Sequence, residues 1–172
     1  MIITESKILK LKLIQPITNH EDFRGTYTEI YNEYEFFKNN IDIKFIQDDY
    51  SFSNKDVIRG IHGDSNTTKL VSCLYGSFYL VVVDVRPGSK TYLKWEGFTL
   101  SLINKLSVLI PPNFGNGHLV LSNDGAIFHY KQSTLYDRNG QFTINWRDKR
   151  INIFWPIEFP ILSERDSASS TI

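Results

Sequence analysis

One histidine, two cations, two tyrosines and a late carboxylate are the residues of this chain whose types and spacing suit chemistry. His62 stands in VIRGIHGD (57–64), with Arg59 three residues before it and Gly60 and Gly63 close on either side. A neutral imidazole is the usual side chain for moving a proton near neutral pH. The flanking glycines let a ligand or a second backbone approach closely. A lone histidine in a β-rich chain is nonetheless more often structural than catalytic. Lys69 opens an apolar run, where a lysine is ordinarily a solvated strand end. Across one loop, however, Arg59 and Lys69 put two fixed cations beside a titratable base, a set that suits a substrate carrying a diphosphate. Tyr130 and Tyr136 are six apart on or beside one strand, so both can face the same side. Packing is the commoner role of a tyrosine, but a phenol can also donate a proton, and its ring can stack on a base or sugar. Asp166, in LSERD (162–166), is a tail carboxylate unless it reaches His62. There it would fix the imidazole tautomer and support an imidazolium.

Other chemistries find less support. Metal-binding β-barrels often use two histidines one residue apart, a nearby glutamate and a later histidine. Here the second position is Asp64, no glutamate lies between it and Glu96, and His118 and His129 do not complete the pattern. No metal site is therefore expected. A Gly-rich phosphate loop before a helix and a GxSxG elbow are both missing. Cys73 lies in an apolar run and reads as packing.

These residues need a scaffold, and the chain suggests short strands. Strands are expected at 8–14, 26–31, 43–53, 69–74, 78–85, 92–100, 107–110, 118–122, 126–135 and 142–146, with one short helix over 32–40. Tyr75-Gly76-Ser77 and Asn123-Asp124-Gly125 read as hairpin turns. Residues 111–117, rich in Pro, Gly and Asn, read as a loop, and residues from 163 on as a tail. Frequent turns between short strands imply an all-β sandwich or barrel. The 172 residues fit one domain, 1–172, with the tail after about 166. Nineteen Lys plus Arg balance nineteen Asp plus Glu, which argues against a nucleic-acid partner. The single cysteine fits a reducing compartment. The absence of a signal-peptide pattern and of any run of ~18 apolar residues completes the expectation of a soluble cytoplasmic protein without a membrane partner.

Nine segments, met in order over most of the chain, resemble the dTDP-4-dehydrorhamnose 3,5-epimerase family. They are DFRGTYTE (22–29), FIQDDYSFS (45–53), VIRGIH (57–62), KLVSCLYGS (69–77), VVDVRPGSKTY (82–92), IPPNFGNGHLVLS (110–122), YKQSTLY (130–136), WP (155–156) and LSERD (162–166). The resemblance implies a cupin-like jelly roll with a few short helices. It also implies a nucleoside-diphosphate 4-keto-6-deoxy sugar as substrate. Its C4 ketone acidifies C3 and C5, so a base can form an enolate and a proton can return on the opposite face without a cofactor. By this resemblance His62 is the base, Asp166 its dyad partner, Tyr130 the acid and Lys69 the stabiliser of the oxyanion. Arg59 would hold the diphosphate, and Tyr136 is the aromatic beside the nucleotide. Gln47, Arg24 and Glu29 match residues holding nucleotide and sugar, the latter two from the partner of a homodimer that exchanges N-terminal strands.

The chain departs from the family pattern in three places. Gly63-Asp64 follows His62 where an aromatic or bulky residue and glutamine are usual. The loop beyond is short. Gly115-Asn116-Gly117-His118 replaces Ala-His-Gly-Phe. Gly63 would make room, Asp64 would accept from an extra hydroxyl, and Asn116 and His118 would touch the substrate. A larger sugar such as a GDP-4-keto-6-deoxy-heptose would use such changes. Two other readings stay open: a sugar-nucleotide 3,4-ketoisomerase and a non-catalytic sugar-binding jelly roll.

Overall fold

The computed structural model describes residues 1–16 and 19–171. In chain order its elements are β1 (Ile2–Glu5), β2 (Lys12–Gln15), β3 (Asn19–Asp22), β4 (Gly25–Thr28), α1 (Glu33–Lys38), β5 (Gln47–Ser53), β6 (Ile58–Gly63), β7 (Lys69–Tyr75), β8 (Ser77–Asp84), β9 (Trp95–Ser101), β10 (Ser107–Ile110), β11 (Phe114–Val120), β12 (Ala126–Gln132), β13 (Phe142–Thr143) and α2 (Glu164–Ser167). One sheet has the order β1-β2-β10-β7-β12-β5, the second β13-β6-β11-β8-β9, and β3 and β4 form a separate pair. This is the expected all-β jelly roll, with two short helices among the described residues.

Alternation along β8 explains how the layers stack. Phe78, Leu80 and Val82 point between the sheets, against Val71, Val108 and Phe128 of the facing sheet. Val81 and Val83 point the other way, into a cluster with Trp146, Ile151 and Trp155. The strand is covered on both faces, so it reads as an unbroken apolar run rather than an alternating one.

Two expected hairpins are corners instead. β7 and β8 flank Gly76, and β11 and β12 flank Asn123-Asp124-Gly125, yet the members of each pair lie in different sheets. A tight turn between apolar strands is common to both arrangements. What separates them is that these inner faces are buried on each other across the sandwich. The two corners nest. Gly76 and Gly125 have φ of +68° and +82°, and a Cβ on Gly76 would strike the Gly125 carbonyl and the Ser122 hydroxyl. Ser77 N–H donates to Ser122 Oγ (2.9 Å), which donates to the Gly125 carbonyl (2.7 Å).

Other differences are local. The strand expected at 8–14 begins only at Lys12, because the Glu96 carboxylate takes the N–H groups of Ile8 (3.0 Å) and Leu9 (2.8 Å). The loop expected through 117 ends before Phe114, where β11 starts. Gly117 lets β11 lie against β6: a Cβ there would come within 2.8 Å of the Arg59 carbonyl oxygen. α1 forms where expected, with Asn32 as N-cap accepting from Glu35 N–H at 3.2 Å. The segment read as a tail contains α2, and beyond it Asn145 Nδ2 donates to the Ser169 carbonyl (2.9 Å) and Asn145 N–H to that of Ser170 (3.0 Å).

Candidate active site

Between the sheets lies a cavity of about 730 Å³, lined by His62, Lys69, Asn116, His118, Tyr130 and Asp166 among others. β6 and β11 supply His62, Asn116 and His118 from one wall. β7 and β12 supply Lys69 and Tyr130 from the other. α2 carries Asp166, 2% exposed, to the His62 side. Its cap is Ser163, whose Oγ accepts from Asp166 N–H at 3.2 Å.

His62 Nε2 is 2.6 Å from Asp166 Oδ1. Burial raises the Asp166 pKa, but the hydrogen bond and charge of His62, with the Gly60 N–H and Ser163, hold it below the usual carboxylate range. An ionised Asp166 only accepts, so Nε2 carries the proton and Nδ1 keeps the basic lone pair. Lys69 is 7% exposed, paired through its backbone with β10 and β12. Burial lowers its pKa, and the Asp64 charge partly opposes this. Tyr130 is pushed up to about 12, first by burial and then by Asp49 and Tyr136, so its phenol keeps its proton at neutral pH. Arg59 lies exposed on the cavity wall, its Nε donating to Ser53 Oγ at 2.7 Å. Tyr136 lines the same cavity.

Several residues singled out from the sequence stand elsewhere. Gln47 holds the wall rather than lining it: its Oε1 accepts from Tyr136 N–H (2.7 Å) and its Nε2 donates to Asp49 (2.8 Å). Arg24, with its side chain 77% exposed, pairs with Asp22 at 2.6 Å next to the β3–β4 turn. Glu29 accepts from Asn32 Nδ2 (3.3 Å) in a separate small cavity. Asp64 is a correction. It is not among the residues lining the cavity: its Oδ1 accepts from the N–H groups of Asn66 (2.9 Å) and Thr67 (2.6 Å), closing the short loop. Gly63 is another. A Cβ there would strike the Phe114 carbonyl oxygen and the Phe142 ring, so its missing side chain makes room for Phe142 and not for a sugar. Gly63→Ala is expected to cost about 1–3 kcal/mol of stability, read as a lower urea midpoint; an unchanged midpoint would contradict this packing.

The cavity wall also contains Arg138, Gln141 and Arg165, which the sequence reading missed. Arg165 is steadied by Thr143 Oγ1, which accepts from Nε (3.0 Å) and Nη2 (2.7 Å). The available signal was its place beside Asp166 in LSERD.

Asn116 and His118 are 8% and 3% exposed. His118 stacks on Phe128, with ring centroids 4.3 Å apart and planes at 10°. Its pKa is pushed down to about 3 by burial, with Arg59 and His62 adding and Asp166 opposing. An unfolded histidine titrates near 6.5. Between these values the unfolded chain binds a proton that the folded chain excludes, so stability falls as pH drops below about 6.5. At pH 5 this residue alone costs about 2 kcal/mol. The melting temperature is expected to fall from pH 7.5 to 5, and to fall less in His118→Phe; equal slopes would refute the assignment.

A cupin-like jelly roll around a half-buried histidine paired with a buried aspartate, a lysine and a tyrosine is the class that fold and cavity define. The family model described as dTDP-4-dehydrorhamnose 3,5-epimerase matches residues 5–172. The chain is 37% identical to the dTDP-4-dehydrorhamnose 3,5-epimerase of Escherichia coli K12 over 177 residues, covering 100% of this chain and 95% of that one. A Legionella pneumophila dTDP-6-deoxy-D-glucose-3,5-epimerase, solved with dTDP-4-keto-L-rhamnose, superposes with a TM-score of 0.92 at 36% identity, over 98% of this chain and 91% of that one. A 3'-monoepimerase from Streptomyces bikiniensis, solved with dTDP-quinovose, gives 0.89 at 28% identity, over 97% and 86%. The chain belongs to the dTDP-4-dehydrorhamnose 3,5-epimerase family, a family of isomerases. Among the described residues no helix is long and apolar enough to cross a membrane.

Proposed function

We propose that the chain inverts C3, C5 or both of a nucleoside-diphosphate 4-keto-6-deoxy sugar through an enolate. His62 Nδ1 takes the proton from the carbon next to the ketone, and the electron pair of that C–H bond moves onto O4. Lys69 stabilises the oxyanion, and its buried ammonium does so where water screens it little. Tyr130 returns a proton on the opposite face, and solvent then restores both groups. Asp166 holds the His62 tautomer and balances the imidazolium, and Arg59 holds the diphosphate. The single observation that supports this most is the 2.6 Å pairing of His62 with a buried, ionised Asp166 in one cavity with Lys69 and Tyr130. Needing no cofactor follows from the chemistry, since the ketone is the electron sink.

The named relatives favour dTDP as the carrier. A GDP-4-keto-6-deoxy-heptose is the second reading, motivated by Asn116 and His118. We also place the protein in the cytoplasm and as a homodimer. The dimer is supported by exposed large residues such as Phe23 (98%), Tyr50 (72%) and Ile103 (86%), and by Arg24 and Glu29, which a partner subunit would have to bring to a cavity. A sedimentation mass near the 20.0 kDa of one chain would contradict the dimer. The test of function is the product formed from dTDP-4-keto-6-deoxy-glucose. Inverted centres with the ketone still at C4 are expected. A ketone at C3 would mean a ketoisomerase, and binding without turnover a sugar-binding jelly roll.

A further inference from the structure

Asn116 and His118 are buried polar residues on the cavity wall that leave polar atoms unused. Asn116 Oδ1 and His118 Nε2 are both sealed from solvent and without a hydrogen-bond partner. They lie two apart on β11, so both point the same way, between the sheets. In register Asn116 is opposite His62 and His118 opposite Arg59. Phe128 covers one face of His118, and Phe78 lies 5.2 Å from it. A phenyl ring would suit those neighbours, and an aromatic is what the family pattern carries at this position. An imidazole there leaves a buried polar group unsatisfied, which is costly unless a ligand supplies the partner.

Resting on the epimerase reading above, we infer that His118, with Asn116, is a specificity pair that reads a hydroxyl carried by this enzyme's sugar in addition to those of a 6-deoxyhexose. The chemistry of the two groups selects that ligand. His118 is held neutral, so it offers one N–H and one lone pair and is no phosphate anchor. The unpartnered Asn116 Oδ1 needs a donor. The ketone and the phosphate oxygens have none, whereas a hydroxyl both donates and accepts. The family pattern carries an aromatic at this position and this chain a histidine, so the added polar group answers an added hydroxyl. Because Gly63 is filled by Phe142 and Asp64 closes its own loop, the discrimination sits on β11 and not in the loop after His62.

The test compares two substrates on one carrier, dTDP-4-keto-6-deoxy-glucose and dTDP-4-keto-6-deoxy-heptose, the second longer by one CH2OH. kcat/KM is measured for the wild type, His118→Phe and Asn116→Ala, in deuterated water so that uptake at C3 and C5 reports the epimerase chemistry separately. The wild type is expected to favour the heptose by about tenfold or more. His118→Phe is expected to reverse that preference, and Asn116→Ala, which leaves the His118 stack in place, to reduce it. Uptake with a preference for the hexose, or a ratio that neither variant moves, overturns the inference and leaves the epimerase standing. No uptake from either sugar, whether carried on dTDP or on GDP, overturns both.

Discussion

Replacing His62 with asparagine is expected to lower kcat by about 10³-fold or more while substrate affinity changes only a few-fold. An asparagine side chain can still donate to Asp166, so the wall of the cavity keeps its shape. It has no basic lone pair, so the C–H bond beside the ketone stays intact and deuterium uptake stops along with turnover. Arg59, Lys69 and Tyr136 remain to hold the ligand, and calorimetric titration with the substrate reads that directly. A variant retaining a tenth or more of wild-type turnover would place the base elsewhere.

Tyr130→Phe is expected to separate exchange from inversion. The Tyr130 phenol, pushed up to about 12 chiefly by burial, is protonated across the whole working range and can give its proton only to a strongly basic acceptor such as an enolate carbon. Without it His62 still opens the enolate and returns a deuteron to the face it came from. Inversion should fall by about 100-fold or more, while deuterium still enters with retained configuration. Normal inversion in this variant would mean that the acid is a different group.

The residues proposed to act on the substrate were more legible than the frame that holds them. His62, Lys69, Tyr130 and Asp166 each sit in a short run of family pattern, and the cavity brings all four together. Asp166 shows the limit of local reading. By itself it is a carboxylate near the chain end, and only the capping of α2 by Ser163 and the closure of that helix on β6 make it a partner 104 residues away from His62. Gly76 and Gly125 were read as hairpin turns because a corner between sheets uses the same residues; the difference lies in long-range burial that no window contains. Gly63 looked like added space because a sequence shows the missing side chain but not the Phe142 ring that occupies the site. Arg138 and Gln141 escaped notice because they lie in irregular chain after β12, where no periodicity tells which way a side chain faces.

The most direct test of the central claim counts deuterons. The protein is incubated in deuterated water with dTDP-4-keto-6-deoxy-glucose and, separately, with GDP-4-keto-6-deoxy-heptose, and mass and proton spectra read uptake at C3 and C5 of each. Uptake at one or both carbons with inversion there and the ketone still at C4 is the predicted result, and it names the centres that the enzyme handles. No uptake at either carbon of either substrate, or a product with its ketone moved to C3, would contradict proton transfer by His62 and Tyr130 as the work of this site.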